Sequence, residues 1–299
     1  MKKITDDHGR EHLFGPAPKR VVSLVPSDTL TVADLGCGSA LVGRTDYCVL
    51  PESVASRVPS VGGTKNPDVD AICALEPDLV LANREENTRS DLEALVARGF
   101  RVYIAFPKRV ADGLAHMARL ARIFSCESDP AVRDLIKRGY EALRAAEAAR
   151  QTRPLLSTFC PIWMKPLMTI HGTTFISDML LQAGALNVFA DRERKYPLAA
   201  DLRGETALTS DQLGGRDTRY PRITMEELNL RDPELILLPD EPHPFSEEDA
   251  DVFRAQPTRA AKRGAVLRCD GKDLCWYGSR SVVALPRLTA LIDSMREKN

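Results

Sequence analysis

Apolar residues come along this chain in short dense runs separated by amphipathic or polar stretches. That is the pattern of strands buried on both faces, alternating with helices. The runs lie at residues 20–25 (R-V-V-S-L-V), 41–45, 79–82, 101–105, 155–159 and 265–269. Between them, helical spacing and boundary residues mark helices at 28–35, closed by Gly36-Cys37-Gly38, at 90–98, closed by Gly99, and at 176–182, closed by Gly184. A last helix is expected from about Val282 to Met295, residues 58–63 read as extended, and residues 1–19 read as an irregular leader ending in Pro16-Ala17-Pro18. Strands and helices in alternation predict a mostly parallel α/β sheet.

One unit of this pattern occurs twice. Residues 69–81 (V-D-A-I-C-A-L-E-P-D-L-V-L) align without a gap on residues 225–237 (M-E-E-L-N-L-R-D-P-E-L-I-L), 156 positions later. Each copy has an acid at its second position (Asp70, Glu226), a short amphipathic helix, an acid-Pro-acid turn and an apolar run. The duplication predicts two similar lobes with a ligand cleft between them.

Residues 129–150 differ from the rest. Asp129 is a candidate N-cap, Pro130 suits the first helical position, and no further proline comes before Pro154. The Ala-rich charged sequence predicts one long helix, a stiff bridge rather than a flexible linker. The expected organisation is an N-terminal α/β lobe at 1–126, a bridging helix at 127–152 and a C-terminal α/β lobe at 153–299. Residues 198–219 break the rhythm and read as a surface insertion.

Composition narrows the function. The chain has 299 residues, is 43% hydrophobic and 28% charged, and carries a net charge of −1, so nothing in its charge points to nucleic acid or an anionic membrane. No apolar run approaches the ~20 residues of a membrane span. The first residues show no apolar stretch of a secretory signal, and the seven cysteines are odd in number with no C-x-x-C pair. These features favour free thiols and a cytoplasmic setting for the chain as given, or a periplasmic or cell-surface one if a signal has been removed.

Ligands of open parallel sheets sit beyond the carboxyl ends of the strands. The residues there are Pro26 and Ser27; Asp46, Tyr47 and Cys48; Gly63, Thr64 and Lys65; Asn83 to Asn87 including Glu85; Trp163; Glu241 and His243; and Trp276 and Tyr277. Aromatic rings with amides and charges suit a large, flat, partly polar ligand. Arg192, Arg194 and Lys195 read as an exposed basic turn, able to meet a carboxylate or phosphate. Enzyme templates fit poorly: there is no G-x-x-x-x-G-K-[ST] loop, no G-x-S-x-G elbow and no H-E-x-x-H pair among the five histidines. Cys48 and His243 as a nucleophile–base pair have no motif behind them. No dedicated metal site, intrinsic cofactor or catalytic residue is expected.

R-V-V-S-L-V-P-S (20–27), L-V-G-R-T-D-Y-C (41–48), V-G-G-T-K-N-P-D-V-D-A-I (61–72) and E-P-D-L-V-L-A-N (76–83) resemble the helical-backbone substrate-binding proteins of ABC importers, which bind cobalamin, iron-siderophores and haem. The resemblance covers essentially the whole chain and is nearest to the cobalamin-binding subgroup. It implies a class III periplasmic-binding-protein-like fold, with two Rossmann-like lobes bridged by a single long helix. It further implies non-catalytic binding of a metal chelate, first of all a cobalamin-like corrinoid. By resemblance, Tyr47 and Trp276 frame the corrin from opposite lobes, and Thr64 stands where the periplasmic cobalamin binder has a further tryptophan. Asp70 and Glu226 fall where family members dock to arginines of the ABC permease. A monomer is expected. The alternative is a cytoplasmic enzyme or chaperone acting on such a ligand.

Overall fold

The computed structural model describes residues 1–202 and 205–296. The chain divides into two compact units: Met1–Glu141 with Trp276–Val282, and Ala142–Cys275 with Val283–Asn299.

The first unit opens with an antiparallel hairpin, β1 (Lys2–Thr5) and β2 (Glu11–Phe14), where an irregular leader was expected. Period-2 burial makes it a hairpin: Ile4, His12 and Phe14 face inward while their neighbours face water. Its turn is organised by Asp6, whose carboxylate accepts hydrogen bonds from the Arg10 N–H at 2.8 Å, the His8 N–H at 2.9 Å and pairs with His12 Nε2 at 3.0 Å. Burial alone would raise the Asp6 carboxyl, but the bonds from His12, Arg10 and Ile104 outweigh it and hold the group below its ordinary 3.8.

The sheet of this unit is formed by β3 (Val21–Ser23), β4 (Leu41–Arg44), β5 (Leu79–Asn83) and β6 (Val102–Ala105), all parallel, in the order β4-β3-β5-β6. Every residue of β3, β5 and β6 is buried, which explains the unbroken apolar runs. The helices are α1 (Pro26–Asp34), α2 (Glu52–Ala55), α3 (Val69–Ala74), α4 (Arg89–Ala97) and α5 (Val110–Ile123). The extended stretch before Gly63 runs beside β4 through one parallel bridge, Arg44 to Ser60. Helix α6 (Pro130–Thr152) follows, 23 residues and thus about 34 Å long. It begins at the proline because the Asp129 carboxylate takes the Ala131 N–H at 2.8 Å. The helix contributes residues to both units, with the division after Glu141.

In the second unit, β7 (Leu156–Phe159) leads into a small hairpin, β8 (Trp163–Met164) and β9 (Leu167–Met168). Then come α7 (Phe175–Gln182), β10 (Ala185–Asn187), α8 (Leu198–Asp201), α9 (Ser210–Leu213), α10 (Met225–Arg231) and β11 (Leu235–Pro239). The unit continues with α11 (Glu247–Arg254), α12 (Arg259–Lys262), β12 (Val266–Cys269), α13 (Gly271–Cys275) and α14 (Ser279–Arg296), whose first turn belongs to the first unit. The four long strands are parallel in the order β10-β7-β11-β12. That is the first unit's order, with the earliest strand second in the sheet. The core packs Phe159, Phe189, Phe245 and Phe253 with Ile236 and Leu238 of β11.

The repeat is structural. Asp68 caps α3 by accepting from Ala71 N, and Thr224 caps α10 by accepting from Glu227 N, at matching positions. The acid after each turn proline anchors the first strand: Asp78 accepts from Lys19 N and Arg20 N, and Glu234 from Ser157 N. The 198–219 insertion contains α8 and α9, and its Arg203 and Gly204 lie outside the described residues. The buried Asp201 ties it down, bonding Arg192 at 3.0 Å, Lys195 N at 2.9 Å and Arg222 N at 2.8 Å. Arg192 is therefore not an exposed basic turn. It is mostly buried and also pairs with Glu227 at 2.9 Å, so the carboxylates it meets are the chain's own.

Candidate functional site

In the first unit the strand-end loops are clasped by asparagines. Asn87 Nδ2 donates to Leu24 O at 3.2 Å and Thr64 O at 3.0 Å, while its Oδ1 accepts from Asn83 N at 2.8 Å. One buried side chain thus fixes the loops after β3, after Gly63 and after β5. Asn83 carries the network on, accepting from Glu85 N at 2.7 Å and donating to the Tyr277 hydroxyl at 3.2 Å. Lys65 Nζ donates to the Glu85 carbonyl. Asn87 ends the Asn83–Asn87 stretch expected beyond this strand, and its clasping of three loops is what the sequence did not show.

Tyr47, after β4, stands 62% exposed on this frame. Gly63 lies beneath it, where a Cβ would run into the Asn66 side chain and reach the Tyr47 ring at 3.7 Å, so the second glycine of V-G-G is set by close approach. Asp46 accepts from the Ser60 hydroxyl and its N–H bonds Gly62 O at 2.9 Å, which orients the Tyr47 loop. Cys48 is fully buried, and burial raises its thiol despite bonds from Thr29 and Thr45, so it offers no ready thiolate.

Several residues expected at the ligand are buried and bonded within the unit. Pro26 and Ser27 are buried in the first turn of α1, whose packing against the unit's interior takes precedence over the loop position read from sequence. Thr64 is buried and contributes its carbonyl to Asn87. Trp276 and Tyr277 belong to the first unit, not the second, and are only 3% and 4% exposed. Tyr277 sits edge-on to His116 at 5.5 Å, and His116 Nε2 meets Asp28 at 2.7 Å, both side chains fully buried. Burial pushes the Tyr277 phenol well above its ordinary 10. The resemblance put Trp276 on the lobe opposite Tyr47; instead the chain returns to the first unit here, and both aromatics are buried in the unit that carries Tyr47.

In the second unit, Trp163 is 44% exposed at the start of β8, its indole N–H donating to Lys165 O at 3.1 Å. The His243 ring lies 5.3 Å from it and packs edge-on to Phe245 at 4.6 Å. Asp249 Oδ2 is 3.5 Å from His243 Nε2, too long for a good hydrogen bond. The structure therefore brings two of the sequence-selected residues, Trp163 and His243, into one partly exposed aromatic patch. Glu241 has a framework role, pairing with Lys272 at 2.9 Å while Asp240 takes Gly271 N at 2.7 Å. Gly271 lies so close to Glu241 that a Cβ there would come within 2.8 Å of its backbone.

Asp70 and Glu226 occupy the second position of α3 and α10, and both are exposed. Asp70 pairs with Arg98 across the surface. Among the described residues, no group of three or more His, Cys, Asp or Glu side chains is placed to hold a metal ion.

The chain matches the family model described as periplasmic binding protein over residues 21–272. The vitamin B12-binding protein of Yersinia pestis (strain Pestoides F) is 31% identical over 183 residues. The match covers 60% of this chain and 64% of that relative, less than two thirds of its length. The periplasmic vitamin B12 binding protein of Vibrio cholerae has the same fold, with a TM-score of 0.73 at 17% identity over 94% of this chain and 99% of that one. A periplasmic heme binding protein from Pseudomonas aeruginosa gives 0.72 at 22% identity over 92% of each chain. The α/β fold with two parallel-sheet lobes expected from the sequence is the fold of these proteins.

Proposed function

Because this chain belongs to the periplasmic binding protein family, we propose that it is a non-catalytic receptor for a metal chelate, and that a cobalamin-like corrinoid is its ligand. The reading rests on one observation above others. Tyr47 and Trp163, each beyond a parallel strand of its own unit, are large, partly exposed rings, Tyr47 on a hydrogen-bonded loop and Trp163 on the β8–β9 hairpin. An exposed ring of that size contributes little to a core, whereas against a flat ligand it buries a large apolar face. His243 adds a polar group beside the Trp163 ring. The family is one of binding proteins, and no catalytic constellation is assigned.

Asp70 and Glu226 support delivery to an ABC permease. They are exposed acids at the same position of two copies of one helix, the arrangement a basic partner surface could read twice. The chain acts as a monomer in this scheme.

Titration against cobalamin, haem and ferric siderophores, followed by absorbance and calorimetry, tests the proposal. Saturable binding with the chelate recovered unchanged supports it. No binding of any of them up to ~1 mM overturns it, and turnover of the chelate favours an enzyme.

A further inference from the structure

Cys37 and Cys126 are 89 residues apart in sequence, yet their Sγ atoms lie 3.8 Å apart. Cys37 is in the turn that ends α1, with its N–H bonded to Val32 O at 3.0 Å. Cys126 is in the corner between α5 and α6, with its N–H bonded to Ala121 O at 3.0 Å. The corner is held further by Lys2, whose ammonium donates to Arg122 O at 3.0 Å and Ser125 Oγ at 3.2 Å. Both thiols are half-buried, which leaves access for a small reagent.

We propose that Cys37 and Cys126 are a redox-responsive pair that closes to a disulfide through exchange with a small-molecule disulfide, stapling the α1 turn to the α5–α6 corner. A disulfide needs an S–S distance of about 2.05 Å, so closing the pair brings the sulfurs roughly 1.8 Å nearer. The Cys37 thiolate attacks one sulfur of the oxidant, forming a mixed disulfide and expelling one thiol. Cys126 then loses its proton and attacks the Cys37 sulfur, expelling the second thiol. Two protein thiols are oxidised, and one disulfide is reduced to two thiols.

The order of attack follows from the environment. Burial raises both thiols, and Cys126, burdened also by the nearby Cys37, is pushed up to about 12. Cys126 is the poorer first nucleophile, and the pair closes slowly at neutral pH. Once closed, the bond constrains a long loop that contains most of the first unit's sheet, which stabilises the fold chiefly through the unfolded chain.

The test equilibrates the native protein with oxidised glutathione at mildly alkaline pH, blocks remaining thiols, and maps peptides by mass spectrometry without reduction. The expected result is a Cys37–Cys126 cross-linked peptide, a melting temperature raised by several degrees, and reversal of both by dithiothreitol. Cys37→Ser should remove the cross-link and the shift, leaving Cys126 free or bearing glutathione. Recovery of Cys37 and Cys126 on separate peptides after equilibration, or a cross-link that forms only in denaturant, would overturn the proposal. The outcome is independent of which ligand the protein binds.

Discussion

Glu76 and Asp232 both adopt left-handed backbone, with φ of 44° and 43°, at equivalent positions of the duplicated helix–turn–strand. Each ends its helix and turns the chain toward the Pro that precedes the buried strand. Neither is glycine, although this conformation costs an L-residue about 1–2 kcal/mol. Asp232 has a compensation: its carboxylate accepts from the Arg259 N–H at 2.7 Å and pairs with the Arg259 guanidinium at 3.1 Å.

Glycine substitution should therefore act differently in the two copies. Glu76→Gly relieves the backbone strain and is expected to stabilise by roughly 0.5–1 kcal/mol. Asp232→Gly gains the same relief but loses the Arg259 anchor, and should be neutral or destabilising. Urea melts of both variants check this; equal stabilisation of the two would show that the Arg259 bonds contribute nothing.

The two accessible tryptophan tests point in opposite directions. Trp276 is 3% exposed, so Trp276→Ala should cost about 3–5 kcal/mol of stability. Trp163 is 44% exposed, so Trp163→Ala should leave the melting point nearly unchanged while weakening chelate binding about tenfold or more. Thermal melts and titrations on the same preparations separate the cases. Unchanged affinity in a folded Trp163→Ala protein would remove this ring from the ligand surface.

Arg192 holds the two mostly buried carboxylates Asp201 and Glu227. Arg192→Met leaves both acids without their cation, and should destabilise the second unit by about 3–5 kcal/mol. Raised proteolysis at residues 191–222 should accompany the loss. A change within about 0.5 kcal/mol would mean that water replaces the arginine at little cost.

Acid should loosen the N-terminal hairpin. The Asp6 carboxyl is lower in the folded protein than its ordinary 3.8, so its charged form stabilises the fold. That contribution is fully present above the unfolded value and is lost as pH falls through the folded one. The stability gap between the natural protein and Asp6→Ala should be widest near neutrality and shrink below about pH 4. Hydrogen exchange of the Arg10 amide across that range reads the effect locally; a gap that stays constant with pH would locate the loss in packing rather than charge.

Charge at the matched acids offers the partner test. Asp70→Lys with Glu226→Lys should abolish productive contact with a permease while leaving chelate affinity unchanged, since both side chains are exposed on α3 and α10. Reconstituted transport together with a titration distinguishes this from a folding defect. Normal transport by the double variant would exclude these acids from docking.

What could be read from the sequence alone is what depends on near neighbours. Unbroken apolar runs mark β3, β5, β6 and β11 because a parallel sheet covers both faces of each strand. Asp129 and Pro130 mark the start of α6 because a cap acts within one turn. The duplication was legible because its helix, turn and strand are contiguous, and so was the family, whose motifs are local. The hairpin at residues 2–14 was missed because its alternation spans only four residues per strand, and docking to Ile104 and Arg119 completes it. Only the tertiary structure decided where side chains from distant segments end up. Trp276 and Tyr277 follow second-unit sequence but are buried in the first unit, and Arg192 stands in a charged stretch but is enclosed by Asp201 and Glu227. Asn87 shows its role only when Leu24, Thr64 and Asn83 are brought around it. Burial and long-range hydrogen bonding depend on which segments meet, and spacing along one chain does not specify those meetings.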